Sequence, residues 1–233
     1  MQLIRKTEVV EDYDTDELVG EVMPTETSRK GAELAEKLVS NILSIGVDGA
    51  GRFKGAREIA EEHRAHHVDV EVAIAKVIAT HARVVTATGF ATGLGGIATL
   101  PVAIPTDIAM FYAYAGRCAA AVAYLRGYDI ESDEVRSVVL LSLLGAGGVA
   151  AASKVGVELG TKTAMAALKK LPGRVLIEIN KKVGFRLVTK AGTKGVVNLG
   201  KLVPFVGGGV GATVNAVGMR TVATYAKSNF PTI

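Results

Sequence analysis

Several features that this chain of 233 residues lacks restrict what it can be. It has one cysteine, so no disulfide can form within the chain, and no apolar stretch of signal-peptide length opens the sequence. We therefore expect a reducing, cytoplasmic compartment. Tryptophan is absent and aromatic residues make up 5% of the chain, which leaves few rings for stacking on nucleic-acid bases. Charged residues make up only 21%, which excludes disorder for most of the chain.

Apolar residues, in contrast, make up 49% of the chain, and the mean hydropathy is +0.32. A chain of this length buries roughly 70% of its unfolded surface, so it needs no disulfide or metal to fold. With 27 glycines and few aromatic residues, its core must consist mainly of Ala, Val, Leu and Gly. Such small residues bring helix backbones close together.

The net charge of +4 is unevenly distributed. Residues 1–26 carry a net charge of −6 and are broken by Pro24. We therefore interpret residues 1–27 as an acidic, flexible tail and residues 28–230 as one domain. Residues 153–233 carry thirteen Lys and Arg against two Glu. A block of one sign is typical of a protein that binds anionic lipid headgroups or nucleic acid, although a solvated face with a solubilising tail explains it equally well.

Apolar residues recur at three- and four-residue spacing through the domain, which predicts an all-α fold, a compact helical bundle. We expect helices at about 28–45, 56–66, 69–88, 105–126, 133–153, 173–190 and 208–228. Asp69 and Ser132 are the expected N-caps of the third and fifth helices, and Gly127 is the expected end of the fourth. The fourth helix is apolar nearly all round, so we expect it in the core. The run RVLIEI inside the sixth of these is also compatible with a strand. Two uncharged Gly/Pro-rich segments, 84–106 and 202–219, are interpreted as helical hairpins.

The first of these segments, 23 residues long, is long enough to span a bilayer, but its glycines and prolines argue against a straight span. Pairs of glycines four residues apart, such as Gly89/Gly93 and Gly207/Gly211, let helices approach closely. Either a dry core or a membrane-inserting hairpin uses that spacing. The candidate ligand-binding or membrane-binding residues are Gly93, Gly95, Gly96, Pro101, Asp107, Arg117, Pro204, Gly207 and Gly211.

Arg117 interrupts an otherwise apolar helix, so its charge must reach solvent, find a partner or face a polar cavity. Asp107 or a headgroup phosphate is the expected partner, and a place at the edge of the bundle is the alternative. The candidate headgroup-binding residues of the basic third are Lys181, Lys182, Arg186, Lys190 and Lys194.

Evidence for catalysis is scarce. His63 and His67 lie one helical turn apart and are weak candidates for metal ligands, but a solvated face is the favoured interpretation. His81 is expected in the core, and Cys118 is expected to be an inert small hydrophobe. We find no nucleophile elbow, no paired carboxylates and no dinucleotide-binding context, and we predict neither a metal nor a cofactor. The sequence therefore favours a non-enzymatic protein.

Three stretches carry a family resemblance. They are GLGGIATLPVAIPTDIAMFYAYAGRCAAAVAYLRGYDIESDEVRSVVLLSLL (93–144), INKKVGFRLVTKAG (179–192) and KLVPFVGGGVGATVNAVGMRTVATYAKSNF (201–230). They resemble the EcsC family over most of residues 30–230, leaving the acidic segment 1–26 outside. The resemblance implies a bacterial protein whose family namesake is encoded beside an ABC transporter. It implies no reaction and no catalytic residues.

Together these observations predict a peripheral protein at the cytoplasmic face of the cell membrane that binds anionic lipid or an apolar ligand, as an accessory to an ABC transporter. The alternative is a hydrolase-like enzyme that acts on an apolar or phosphate-bearing substrate in the same cavity. Nucleic-acid binding ranks third and no nucleic-acid partner is expected, because it leaves the apolar segments unexplained. The sequence makes no prediction about the oligomeric state.

Overall fold

The computed structural model describes residues 26–94, 96–145, 147–153, 163–197 and 206–233, and only the backbone of 26–28, 96–107, 149–151, 190–197 and 206–207. Its helices are α1 Glu26–Asn41, α2 Ala56–His66, α3 Val70–Leu94, α4 Gly96–Leu125, α5 Asp133–Leu143, α6 Gly147–Ser153, α7 Ala164–Leu168, α8 Gly173–Val197 and α9 Val206–Asn229. A π-helical segment, Ile42–Asp48, continues α1. These residues form no strand, so the predicted all-α fold is confirmed.

Helix α4 is the central helix of the bundle. It packs against α2, α3, α5, α9 and the π-helical segment, and the run from Cys118 to Ala123 is completely buried. The segment Ile108–Leu125 is long and apolar enough to cross a membrane, but 67% of it lies inside the protein. A core helix satisfies the same criterion, and burial here agrees with the sequence prediction.

Helix α4 begins earlier than expected. We predicted a start at Pro105, but the helix begins at Gly96 and continues through Pro101 and Pro105. Proline inside a helix removes one hydrogen bond and clashes with the carbonyl group four residues earlier, at a cost of about 3 kcal/mol, but its φ stays near the helical value, so a helix packed against neighbours can continue through it. The prediction gave too much weight to proline as a helix start.

Helices α3 and α9 form the most extensive helix pair, and they run antiparallel. We expected α3 to stop at Gly89, but it continues to Leu94. A Cβ atom at Gly89 would lie 2.5 Å from Nδ2 of Asn215 and 2.6 Å from the carbonyl oxygen of Gly211. Gly89 is therefore a site of close helix contact rather than a helix end.

Local capping and stop residues predicted other helix ends more reliably. Asp69 accepts a hydrogen bond from the amide of Val72 at 3.0 Å and caps α3, and Ser132 caps α5. Gly127, which follows α4, has a φ of 84°. The single helix expected over 133–153 is divided into α5 and α6, because Gly145 adopts a φ of 60° between them.

Helix α8 includes the run RVLIEI, so that run is helical and the strand alternative is wrong. Ile179, Val183 and Leu187 are completely buried at the predicted four-residue spacing. This face packs against α1 and α5. On the opposite face of α8 four charged residues are exposed to solvent: Arg174, Glu178, Lys181 and Lys182.

Candidate functional site

Arg117 lies inside the protein, with 8% of its surface exposed. Its Nε donates to Nε2 of His81 at 3.0 Å, and its Nη1 donates to the backbone oxygen of Lys54 at 3.0 Å. The guanidinium carbon also lies 4.3 Å from the ring centre of Phe53 and 4.5 Å from that of Tyr114. Two aromatic faces, an imidazole and a carbonyl thus surround this cation.

The hydrogen bonds define the state of His81. Its Nδ1 lies 2.8 Å from the carbonyl oxygen of Val77, so Nδ1 carries the proton and Nε2 accepts from Arg117. Burial, reinforced by the Arg117 charge, lowers the pKa of His81 to about 4. Burial also lowers the pKa of Arg117. The imidazole is therefore neutral near pH 7.

Arg117 has no carboxylate within 4.0 Å among the described side chains, and the side chain of its predicted partner Asp107 lies outside them. Instead it connects α4 to α3 and to the loop after the π-helical segment. Its place in the interior agrees with the expectation of a partnered charge and excludes the alternative of a bundle edge. Cys118, its neighbour, is fully buried, and burial raises the pKa of its thiol to about 12.

The candidate headgroup-binding residues differ in their surroundings. Lys181 and Lys182 on α8 are exposed. Arg186 is half-buried, and its Nη1 donates to the backbone oxygen of Gly147 at 2.9 Å, so this guanidinium supports the start of α6. The side chains of Lys190 and Lys194 lie outside the described residues.

An apolar groove of about 470 Å³ separates α1 from α8. The α8 side of the groove carries three residues at four-residue spacing: Ile177, Lys181 and Phe185. Ile177 is 57% exposed and Phe185 is 52% exposed, while Leu34 on α1 is 57% exposed. Ile177 and Phe185 thus stand in solvent beside Lys181 at the edge of this groove.

The candidate glycine and proline residues are only partly described. Gly93 and Gly211 are buried in helices α3 and α9. The structure places Gly96, Pro101 and Gly207 in helical backbone. Gly95 and Pro204 lie outside the described residues. The pairs Gly89/Gly93 and Gly207/Gly211 therefore lie in α3 and α9, whose backbones meet closely at Gly89 and Gly211.

Sequence reasoning missed a second groove, of about 740 Å³, between α3 and α9. Its floor is mostly alanine, and its other lining residues include Arg83, Arg220 and Phe90. Phe90 is 42% exposed. The repeated alanines along α3, at Ala75, Ala79 and Ala82, were the available signal, but they do not reveal which helix lies beside them.

The weak metal candidates do not converge. His63 contacts the carbonyl oxygen of Ile59 through Nδ1 and the hydroxyl of Thr80 through Nε2, while Nδ1 of His66 contacts the carbonyl oxygen of Glu62. Within the described ranges no three His, Cys, Asp or Glu residues are placed to hold a metal ion.

The model of the EcsC protein family matches residues 14–231, nearly the whole chain. The chain belongs to the EcsC protein family. The match begins inside the acidic segment, so the sequence-based resemblance, which left residues 1–26 outside, placed the family boundary too late. No curated protein and no solved structure is significantly similar to this EcsC protein.

Proposed function

We propose that this EcsC protein binds the anionic surface of a membrane peripherally through the exposed face of α8 and the neighbouring face of α1. The observation that carries the proposal is that Ile177 and Phe185 stand in solvent on either side of Lys181 along α8. Apolar side chains set among lysines are typical of helices that lie in the membrane interface. Between residues 173 and 189, α8 carries four Lys and Arg against one Glu.

The two kinds of side chain contribute differently. Transfer of Ile177 and Phe185 from water to the region between headgroups and acyl chains makes the free energy of binding more favourable. Lys181 and Lys182 each contribute about 1 kcal/mol of electrostatic attraction near an anionic surface, and added salt weakens this attraction. Their long apolar stems allow the ammonium groups to reach phosphate while the backbone stays at the interface.

Vesicle flotation tests this proposal. The protein should float with vesicles of phosphatidylcholine and phosphatidylglycerol at about 0.15 M salt and bind pure phosphatidylcholine poorly. The double variant Lys181→Gln, Lys182→Gln should bind about 30-fold more weakly, from about 1 kcal/mol per charge. The control Arg52→Gln, Lys76→Gln removes the same charge from exposed positions elsewhere and should bind like the wild type.

A second pair of variants tests the apolar part. Phe185→Ser should weaken flotation at every salt concentration, whereas Val68→Ser, at a side chain that is 92% exposed, should not. The proposal is contradicted if the α8 lysine variant and the Arg52→Gln, Lys76→Gln control lose flotation equally, or if the protein binds DNA tightly and does not float with vesicles. The accessory role beside an ABC transporter, which the family resemblance implied, remains a prediction that copurification with transporter subunits would test.

A further inference from the structure

We propose that the groove between α3 and α9 binds one fatty acid, with its carboxylate at Arg83 and Arg220 and its acyl chain directed towards Phe90. This site is separate from the α8 surface and does not depend on membrane binding. The groove of about 740 Å³ falls within the usual range for ligand pockets.

The helix register brings the two arginines close together. Asn215 donates to the carbonyl oxygen of Val85, and Lys227 pairs with Glu71, so α3 and α9 are antiparallel along their length. In this register Arg220 lies level with residues 79 and 80, about one helical turn from Arg83. Both guanidiniums therefore border the same part of the groove.

These arginines are suited to bind an anion. Both are exposed, and neither guanidinium forms an ion pair or a hydrogen bond with another described residue, although the backbone oxygen of Arg220 accepts from Thr224. The groove lining contains no acidic side chain to neutralise them. Two guanidiniums offer planar donors that match the two oxygens of a carboxylate. The charge of the site thus calls for an anionic group.

The remaining lining is suited to an alkyl chain. Ala82, Ala212 and Ala216 form a smooth apolar floor, and Phe90 closes the end where α9 begins, next to Gly208. From the level of Arg220, near residue 80, to Phe90 there are about ten residues, or about 15 Å of helix at about 1.5 Å per residue, which is about the length of an extended twelve-carbon chain. A fatty acid presents these two parts, an anionic carboxylate followed by an apolar chain, in that order.

Calorimetric titration with sodium dodecanoate, below its micelle concentration, tests the site. We expect one molecule per chain, and binding at least tenfold tighter than that of octanoate, because four more methylenes reach the alanine floor. Dodecyltrimethylammonium, with the same chain and the opposite charge, should not bind. Equal binding of both ions would overturn the assignment, as would tighter binding of dodecyl phosphate with no binding of dodecanoate.

Variants locate the ligand. Arg83→Gln, Arg220→Gln should weaken dodecanoate binding at least tenfold, while Arg52→Gln, Lys76→Gln should leave it unchanged. Ala216→Leu, which fills the floor without changing charge, should also abolish binding and provides the test if the arginine variant does not fold. Wild-type affinity in both folded variants refutes the site.

The two proposals can fail separately. The Lys181→Gln, Lys182→Gln variant should still bind dodecanoate, and the Arg83→Gln, Arg220→Gln variant should still float with anionic vesicles. If the arginine variant loses flotation and the lysine variant does not, the α3–α9 groove faces the membrane and is not a site for a free fatty acid.

Discussion

Gly89 offers a direct test of how α3 and α9 are held together. Replacing it with alanine would place a Cβ 2.5 Å from Nδ2 of Asn215 and 2.6 Å from the backbone oxygen of Gly211. Ordinary contact begins near 3.4 Å, so α9 would have to shift by almost 1 Å. The same shift disturbs the hydrogen bond, 3.0 Å long, that Asn215 donates to Val85.

The expected magnitude follows from three contributions. Overpacking costs about 1–3 kcal/mol. Weakening a buried hydrogen bond costs about 1–2 kcal/mol. Replacing glycine by alanine inside a helix raises stability by about 1 kcal/mol and offsets part of this cost. We therefore expect Gly89→Ala to lower the free energy of unfolding by about 1–4 kcal/mol, which lowers Tm by about 2–16 °C in a domain of this size.

Gly209 is the matched control. It lies in α9, and no atom comes within 4 Å of the position its Cβ would take. Gly209→Ala should therefore raise stability by about 0.5–1 kcal/mol. Thermal and urea denaturation of both variants measure these changes. If Gly89→Ala is as stable as Gly209→Ala, the close contact between α3 and α9 is not a determinant of the fold.

Three further predictions concern other parts of the bundle. The pKa of His81 is about 4 in the folded state and about 6.5 in the unfolded state. The neutral imidazole therefore contributes its full stabilisation above pH 6.5, and about 3 kcal/mol of the free energy of unfolding is lost as the pH falls to 4. Urea denaturation across this pH range should show a smaller loss in His81→Gln. Gly145→Ala should lower the free energy of unfolding by about 1–2 kcal/mol in urea, because φ is 60° and Thr221 lies 3.1 Å from the new Cβ. Arg126→Gln should speed amide exchange in the last turn of α9, since Arg126 donates to the carbonyl oxygen of Lys227 at 2.7 Å.

Local signals in the sequence predicted most of the fold. The caps at Asp69 and Ser132, and the stop at Gly127, depend on hydrogen bonds and backbone angles within a few residues. Gly89 and Pro105 were misread, because whether a glycine or proline ends a helix depends on what packs around it. That information comes from other helices and is absent from the local sequence.

At the candidate site, too, the local sequence predicted one part and tertiary packing determined the other. A single charge in an apolar helix was enough to predict that Arg117 needs a partner, because burying an unpaired cation is costly. Its partners His81 and Lys54 lie 36 and 63 residues away in the chain, and only the packing of α4 against α3 and the loop identifies them. The groove beside Arg83 and Arg220 was missed for the same reason.

The glycine-rich character of the chain now has a structural consequence that bears on function. Gly89 of α3 and Gly211 of α9 lie where the two backbones meet, whereas the larger side chains of Phe90 on α3 and Phe185 on α8 stand in solvent. Contact with a membrane gains more from a large exposed side chain than from a glycine. Membrane or ligand contact should therefore respond to changes at Phe90 and Phe185, while changes at Gly89 and Gly211 should alter stability at unchanged binding per folded molecule.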